Sequence, residues 1–545
     1  MSLIVNSKIK AYRAEDPRMK LAEATPYIIE QGPTNASWQP ITTQSYSNNQ
    51  INFVIVPPSR QTGVSRHMKL AVPFSCSFTG TSSPSAPILG LTSGSDALRC
   101  LPLSSVISNI AIQLNNASFS YVMSDSVKAL LMYRTTDKDQ FLSSTPYMFD
   151  QSQEYESLLL SNRNPLSPYS VSQPHLEYRG SFNQFFSSVT NTSTSASFNV
   201  TIIEDIYLSP LLFSNLGDES RAWIGLDNIQ LTIQFGDLTR ILSHAVVSGV
   251  TVSTVSVSVS GPPSLYVTYL TPAANAVIPA SISYSFAQVI NYSTNYGTVA
   301  AGGLFSVTSN NIQLSQIPRM IYVYARRSNN TANYNTTDTF AGLQSLQILF
   351  NNKTGLLSTA TPEQLYEISC RNGLRQLSYP MWANQVGAVM AIDPVSDLGL
   401  NLGEAPGLVN WSGNLQITAG FQNLSAINTI NYTMFVCVVT DGVITIDSGN
   451  VIQQVGVVTR EDVLERAPEL PEVDSRALRH DEAVGGDFIS TLRSIGKFVK
   501  DNKLISSVAK AIPHPIAQAV GSVAEHLGAG RVSKAALKKQ MAKYA

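Results

Sequence analysis

Along the first 460 residues, short runs of apolar and polar positions alternate, and turn-forming residues interrupt them about every ten residues. Ile51 to Val56, Phe198 to Ile203 and Met320 to Tyr324 are rich in β-branched and aromatic side chains with partial two-residue alternation. The segment Val247 to Gly261, VSGVTVSTVSVSVSG, alternates almost throughout. Such a pattern gives half-buried strands, and the Gly, Pro, Asn and Ser clusters between them give turns. Helical spacing is confined to Ser126–Tyr133 and Pro362–Ser369, each following an Asn-Asn pair. The pattern predicts an all-β sandwich or barrel architecture with short helices in its loops.

The pattern also repeats. Ile112-Gln113-Leu114-Asn115-Asn116 and Ile348-Leu349-Phe350-Asn351-Asn352 are each an apolar strand, an Asn-Asn corner and then a helical stretch. Further on, Asn215–Thr239 aligns without a gap on Asn401–Ser425, with eight of 25 positions identical, among them Asn228/Asn414 and Phe235/Phe421. A weaker third match pairs Arg66–Val72 with Pro318–Tyr324. All three come in the same order in both halves, so the body reads as a tandem duplication of one β-domain of about 200 residues.

The halves differ by an insertion. Asn115 to Asn228 spans 113 residues and Asn351 to Asn414 spans 63, so the first half is longer by 50. Arg134–Ser197 is the expected place, and its aromatic residues, Tyr155, Tyr169 and Phe182 among them, suit a folded projection better than a disordered loop. The resulting division is an N-terminal arm over 1–44, a first domain over 45–260 with an insertion at about 134–197, and a second domain over 261–460. An acidic linker over 461–486 and a basic tail over 487–545 complete it.

Composition adds a surface property. Only 13% of residues are charged, about half the usual share, and Ser, Thr, Asn and Gln fill the surface instead. That suits a protein packed against copies of itself as well as an ordinary polar β-protein. Cys76, Cys100, Cys370 and Cys437 form no close pair, so they read as free thiols and not as a disulfide or zinc framework. No signal peptide is seen and no apolar run reaches the roughly 18 residues that span a bilayer. The Asn-x-Ser/Thr triplets therefore follow from composition.

Charge is unevenly placed. Glu461–Gly486 has eight acidic and three basic residues, whereas Asp487–Ala545 has three acidic and ten basic, a net of +7. In the tail Phe488, Leu492, Ile495 and Val499 recur at helical spacing, with Arg493, Lys497, Lys500 and Lys503 on much of the remaining face. Lys534, Lys538 and Lys539 form a second basic patch. Contact with a membrane surface, with nucleic-acid phosphates, or with the body itself all fit such a helix.

Catalytic signatures are not found. There is no HExxH, GxSxG, P-loop or Cys-His motif, and Gly528-Ala529-Gly530 does not follow a strand. Glu204-Asp205 would point to opposite faces of a strand, which argues against an acid/base pair. The sequence thus indicates no enzyme, no catalytic residue, no metal site and no cofactor.

Two consecutive β-domains, low charge, an insertion in one copy and a basic appendage resemble the double jelly-roll major capsid proteins of the adenovirus-hexon and virophage/Polinton-like type. The likeness is carried by the two Asn-Asn corners, Ser315–Ser328 (SQIPRMIYVYARRS), Asn351–Gly373 and Asn228–Arg240, over most of residues 45–455. It implies two eight-stranded jelly rolls per chain and a homotrimer of six-sided outline that tiles an icosahedral capsid in the virion. It further implies penton and minor capsid proteins as partners, the insertion as an outward tower, and assembly in the host cytoplasm or nucleus. In related viruses a viral protease cuts near Gly-Gly. Gly485, Gly486 and Asp487 resemble such a site, although Ala483 departs from the bulky apolar residue that the pattern calls for. A cleaved tail would act on membranes or as an internal scaffold.

Two other readings share the β-pattern. A capsid protein with one jelly roll, a projecting β-domain and a lytic C-terminal helix predicts two unlike domains. A tandem glycan-binding or adhesin protein predicts secretion, for which neither a signal peptide nor paired cysteines speak.

Overall fold

A computed structural model describes residues 35–454, apart from 84–86, 90–95, 134–186, 207–221, 245–248, 273–277, 279–280, 352, 376 and 400–409. The basic tail, the Gly485-Gly486-Asp487 site, Asn401 of the second sequence match and most of the expected insertion lie outside the described residues.

In the first half the main strands are β1 (Asn35–Thr42), β2 (Gln50–Ile55), β3 (Lys69–Ser82), β4 (Ile107–Leu114), β5 (Ala117–Val122), β6 (Ser195–Asp205), β7 (Ile229–Phe235), β8 (Val250–Val259) and β9 (Ser264–Thr271). In the second they are β10 (Ser281–Val299), β11 (Leu304–Thr308), β12 (Met320–Arg327), β13 (Gly342–Phe350), β14 (Lys353–Leu356), β15 (Val389–Ile392), β16 (Asn410–Gln422) and β17 (Ile430–Asp447). The sheets of the first half run β1-β9-β3-β6 and β2-β7-β4-β5, with β8 also on β3. Those of the second run β10-β17-β12-β15 and β11-β16-β13-β14. With β8 and β9 taken as one interrupted last strand, both halves have the order 1-8-3-6 facing 2-7-4-5, which is the jelly roll.

The alternation foreseen in the sequence is what makes each sheet two-faced. Ile229, Leu231, Ile233 and Phe235 of β7 are buried while Gln230 and Gln234 face out. In β8 the alternation slips at Ser253-Thr254, and the β3–β8 register shifts between Val252 and Thr254, so a bulge absorbs the extra residue. β17 is different. Its Thr433–Val439 stretch is buried at every position, because the sandwich core covers one face and the first roll covers the other. Burial, with Cys437 close by, pushes the hydroxyl of Tyr121 of the first roll well above its ordinary value.

Two domain limits move outward. Asn35–Thr42 pairs along its whole length with Ser264–Thr271, so β1 and β9 lie in the first roll although they fall outside 45–260. At the insertion, Ser187–Asn191 pairs with β6, which itself begins at Ser195. Residues 187–191 and 195–197 are therefore sheet, joined by a turn, and not projection. The four cysteines are free, with Cys76, Cys100 and Cys437 buried, and burial pushes the Cys76 thiol up to about 12.

Candidate functional site at the junction of the two rolls

The Asn-Asn corners occupy equivalent places. Asn115 and Asn351 both take the left-handed conformation, with φ of 48° and 43°, which Asn tolerates better than most residues. The Asn115 amide donates to Asn228 O and the Asn351 amide to Asn414 O, each at 2.9 Å. Ile112 pairs with Leu231, and Ile348 pairs with Ile417. The first two sequence matches thus superpose in one register, and the third joins β3 to β12, the same strand of each roll.

The first corner does a second task. Asn115 Oδ1 accepts from the amides of Asp227 and Asn228 at 2.9 and 3.0 Å, while its Nδ2 donates to Gly449 O at 2.6 Å. Asn116 exchanges two hydrogen bonds with Val451 of the second roll, at 2.8 and 3.2 Å. The corner is therefore a peg seated on the hairpin that ends β17. Arg60 adds a two-pronged contact with Asp227 and donates to Ser448 O at 3.1 Å.

Helices after the corners close the joint. Helix α1 (Pro102–Val106) precedes β4, and α2 (Met123–Leu131) follows β5. Its counterpart α3 (Pro362–Arg371) follows β14. Thr361 and Gln364 form a capping box at α3. At α2 the helix begins at Met123 without a side-chain cap. Asp125 is used across the joint instead, accepting from Arg326 at 2.7 Å and from Asn329 at 3.0 Å. Aromatic pairs fill the apolar part, Phe119 against Phe286 at 5.6 Å and Tyr133 against Tyr322 at 5.2 Å. Tyr133 also donates its hydroxyl to Val389 O at 2.5 Å.

At the centre lies a buried charge cluster that the sequence reading did not find. Asp338 of the second roll receives Arg240 at 2.6 Å, Arg99 at 3.2 Å and Lys128, all from the first roll. Arg99 is fully buried and donates to the carbonyls of Arg240, Thr336, Leu242 and Asn333. Burial alone would raise the Asp338 carboxyl, but Arg240, Arg99 and Lys128 outweigh it and hold it well below the usual carboxylate range. Nearby Glu204 accepts from the amides of Leu103 and Ser104 at 2.7 and 3.1 Å and from the Ser104 hydroxyl at 3.0 Å. Burial still raises it to about 7 against those bonds and Lys128. Asp205 turns the other way and meets His67 at 3.0 Å, so the two adjacent carboxylates do face apart. The one available signal was charge inside apolar runs, as at Ala97-Leu98-Arg99-Cys100-Leu101. Among the described residues no group of three or more His, Cys, Asp and Glu is placed to hold a metal ion.

A cluster of this kind joins elements and holds them in register. Two like jelly rolls locked through a peg, an aromatic layer and a buried ion cluster define a double jelly-roll major capsid protein. The comparisons agree. The model for the Sputnik virophage major capsid protein first domain matches residues 7–273, and that for the major capsid protein V20 C-terminal domain matches residues 266–442. The chain belongs to the Sputnik virophage major capsid protein family. It is 28% identical to the putative capsid protein V20 of Sputnik virophage, covering 95% of this chain and 93% of that one. Against the cryo-EM structure of the Sputnik virophage the TM-score is 0.73 at 26% identity, over 85% of this chain and 96% of that one. The mavirus major capsid protein has the same fold, with a TM-score of 0.64 at 17% identity, over 86% of this chain and 99% of that one. The protein is a viral major capsid protein of the virophage type and a component of the virion capsid, and its homologues are structural proteins, not enzymes. Two rolls of identical strand order exclude the reading with one jelly roll and an unlike projecting domain.

Proposed function

We propose that three chains associate into a capsomer of six-sided outline and that such capsomers tile an icosahedral shell. The observation that carries this reading is the repeated corner, in which Asn115 meets Asn228 and Asn351 meets Asn414 at the same 2.9 Å. Duplicated walls let a trimer offer six similar sides while using three chains. Large apolar side chains exposed on the single chain, with Trp38 at 57%, Leu304 at 71% and Ile427 at 67%, support self-association.

Light scattering on the eluting full-length protein tests this directly. The expected particle has about three times the 59.0 kDa chain mass, and a stable monomer overturns the proposal. Hexagonal capsomers in electron micrographs of the expressed protein would add the tiling.

The remaining partners belong to the same proposal. Penton and minor capsid proteins fill the vertices and seams, and assembly takes place in the host cytoplasm or nucleus. A viral protease cuts at Gly485-Gly486-Asp487, between acidic linker and basic tail. Through Arg493, Lys497, Lys500, Lys503, Lys534, Lys538 and Lys539 the tail engages an anionic membrane or the genome; its net charge of +7 supports this. Mass spectrometry of purified particles decides the cleavage: a shell protein still ending at Ala545 refutes it.

A further inference from the structure

The charge cluster at the junction is not balanced. Arg99, Lys128, Arg240 and Arg326 bring four positive charges, against Asp125 and Asp338 with two negative ones. Glu204, when ionised, would reduce the excess from two to one. Uncompensated charge held away from water is costly, so a buried excess calls for a counter-ion.

A place for one exists. Arg240 from the first roll and Arg326 from the second line a cavity of about 20 Å³ between the rolls, along with Ser104, Ser105, Ser124 and Lys128. Asp125 and Asp338 also line it, each already engaged by the cations described above. The volume admits one particle of about the size of a water molecule. The Nε of Arg240 and the Nε of Arg326 are both buried without a hydrogen-bond partner. Only 9% of the Arg240 side chain and 11% of the Arg326 side chain are exposed. Two orphaned guanidinium N–H groups on side chains that line one small cavity are a strong recognition signal, since each lost charged hydrogen bond is worth more than a neutral one.

We propose that this cavity binds a small monovalent inorganic anion of the chloride class, held by Arg240 Nε and Arg326 Nε so that it ties the two rolls together. A water molecule would satisfy the same two donors but would leave the excess charge. The difference is measurable.

Crystals of the full chain grown in sodium gluconate and soaked in sodium bromide should show an anomalous peak within hydrogen-bond reach of both Nε atoms. Water-like density there, without an anomalous signal, overturns the proposal. In solution the thermal midpoint of the full chain should rise with sodium chloride to a plateau, above sodium gluconate of equal ionic strength; coincident curves refute the site. Arg326→Lys keeps a positive charge facing Asp125 and removes the Nε donor. It should weaken the chloride response by at least about tenfold in half-saturating concentration, with the oligomer size unchanged. A response undiminished in this variant also overturns the assignment.

Discussion

Replacing Asp338 by Asn takes one negative charge out of the junction and leaves three cations facing an amide. Arg240 and Arg99 now approach Asp338 Oδ1 at 2.6 and 3.2 Å, and Lys128 contacts Oδ2. An asparagine keeps one acceptor but turns an NH2 group toward a donor. Removing one partner of a buried ion pair costs about 3–5 kcal/mol. Arg99 keeps its four carbonyl acceptors, whereas Lys128 and the Arg240 NH2 group lose their carboxylate, so we expect about 4 kcal/mol. Denaturant unfolding followed by tryptophan fluorescence reads this well, because Trp223 in the first roll and Trp382 in the second are both fully buried. The pH course adds a second constraint. A carboxyl held below its ordinary value stabilises the fold above an unfolded pKa of about 3.9 and loses that effect as pH falls through the folded pKa. The deficit of Asp338→Asn should accordingly be full at neutral pH and shrink in acid. A loss under about 1 kcal/mol, or strict additivity with Arg240→Gln, would refute the reasoning.

Asn115→Ala should cost about 3 kcal/mol, from the left-handed conformation and three side-chain hydrogen bonds, against about 1 kcal/mol for the exposed Asn351→Ala; paired unfolding curves compare them. Glu204 has the opposite pH course to Asp338. Its folded pKa of about 7 lies above the unfolded value, so its contribution is complete below about pH 4.3 and is lost as pH rises through 7. Glu204→Gln should remove that slope from a stability-versus-pH series. Gly387 has φ of 92°, and a Cβ there would stand 2.0 Å from Phe340 O, so Gly387→Ala should abolish soluble protein in expression trials.

Much of the architecture could be read from local order. Alternation at Ile229–Phe235 fixes which side chains face the core, since a strand has a period of two. The recurring Asn-Asn corner and the ungapped match after it announced two like domains, and the register of Asn228 and Asn414 follows from it. The limits were less legible. β1 joins the first roll by pairing with β9, Asn35 opposite Thr271 across 236 residues, and pairing at that separation leaves no local mark.

The junction belongs wholly to the tertiary structure. Arg99 and Asp338 are 239 positions apart, and each looks in sequence like any charged residue of a polar protein. Their meeting depends on how one finished roll docks against the other. By itself the sequence determined the sheets, the duplication and the family likeness, because strand period, turn chemistry and repetition are properties of neighbouring residues. Which Asn-Asn corner became a peg, and where four cations and two anions would be shut away from water, was decided only when the two rolls closed on one another: burial and ion pairing arise between surfaces, not along a chain.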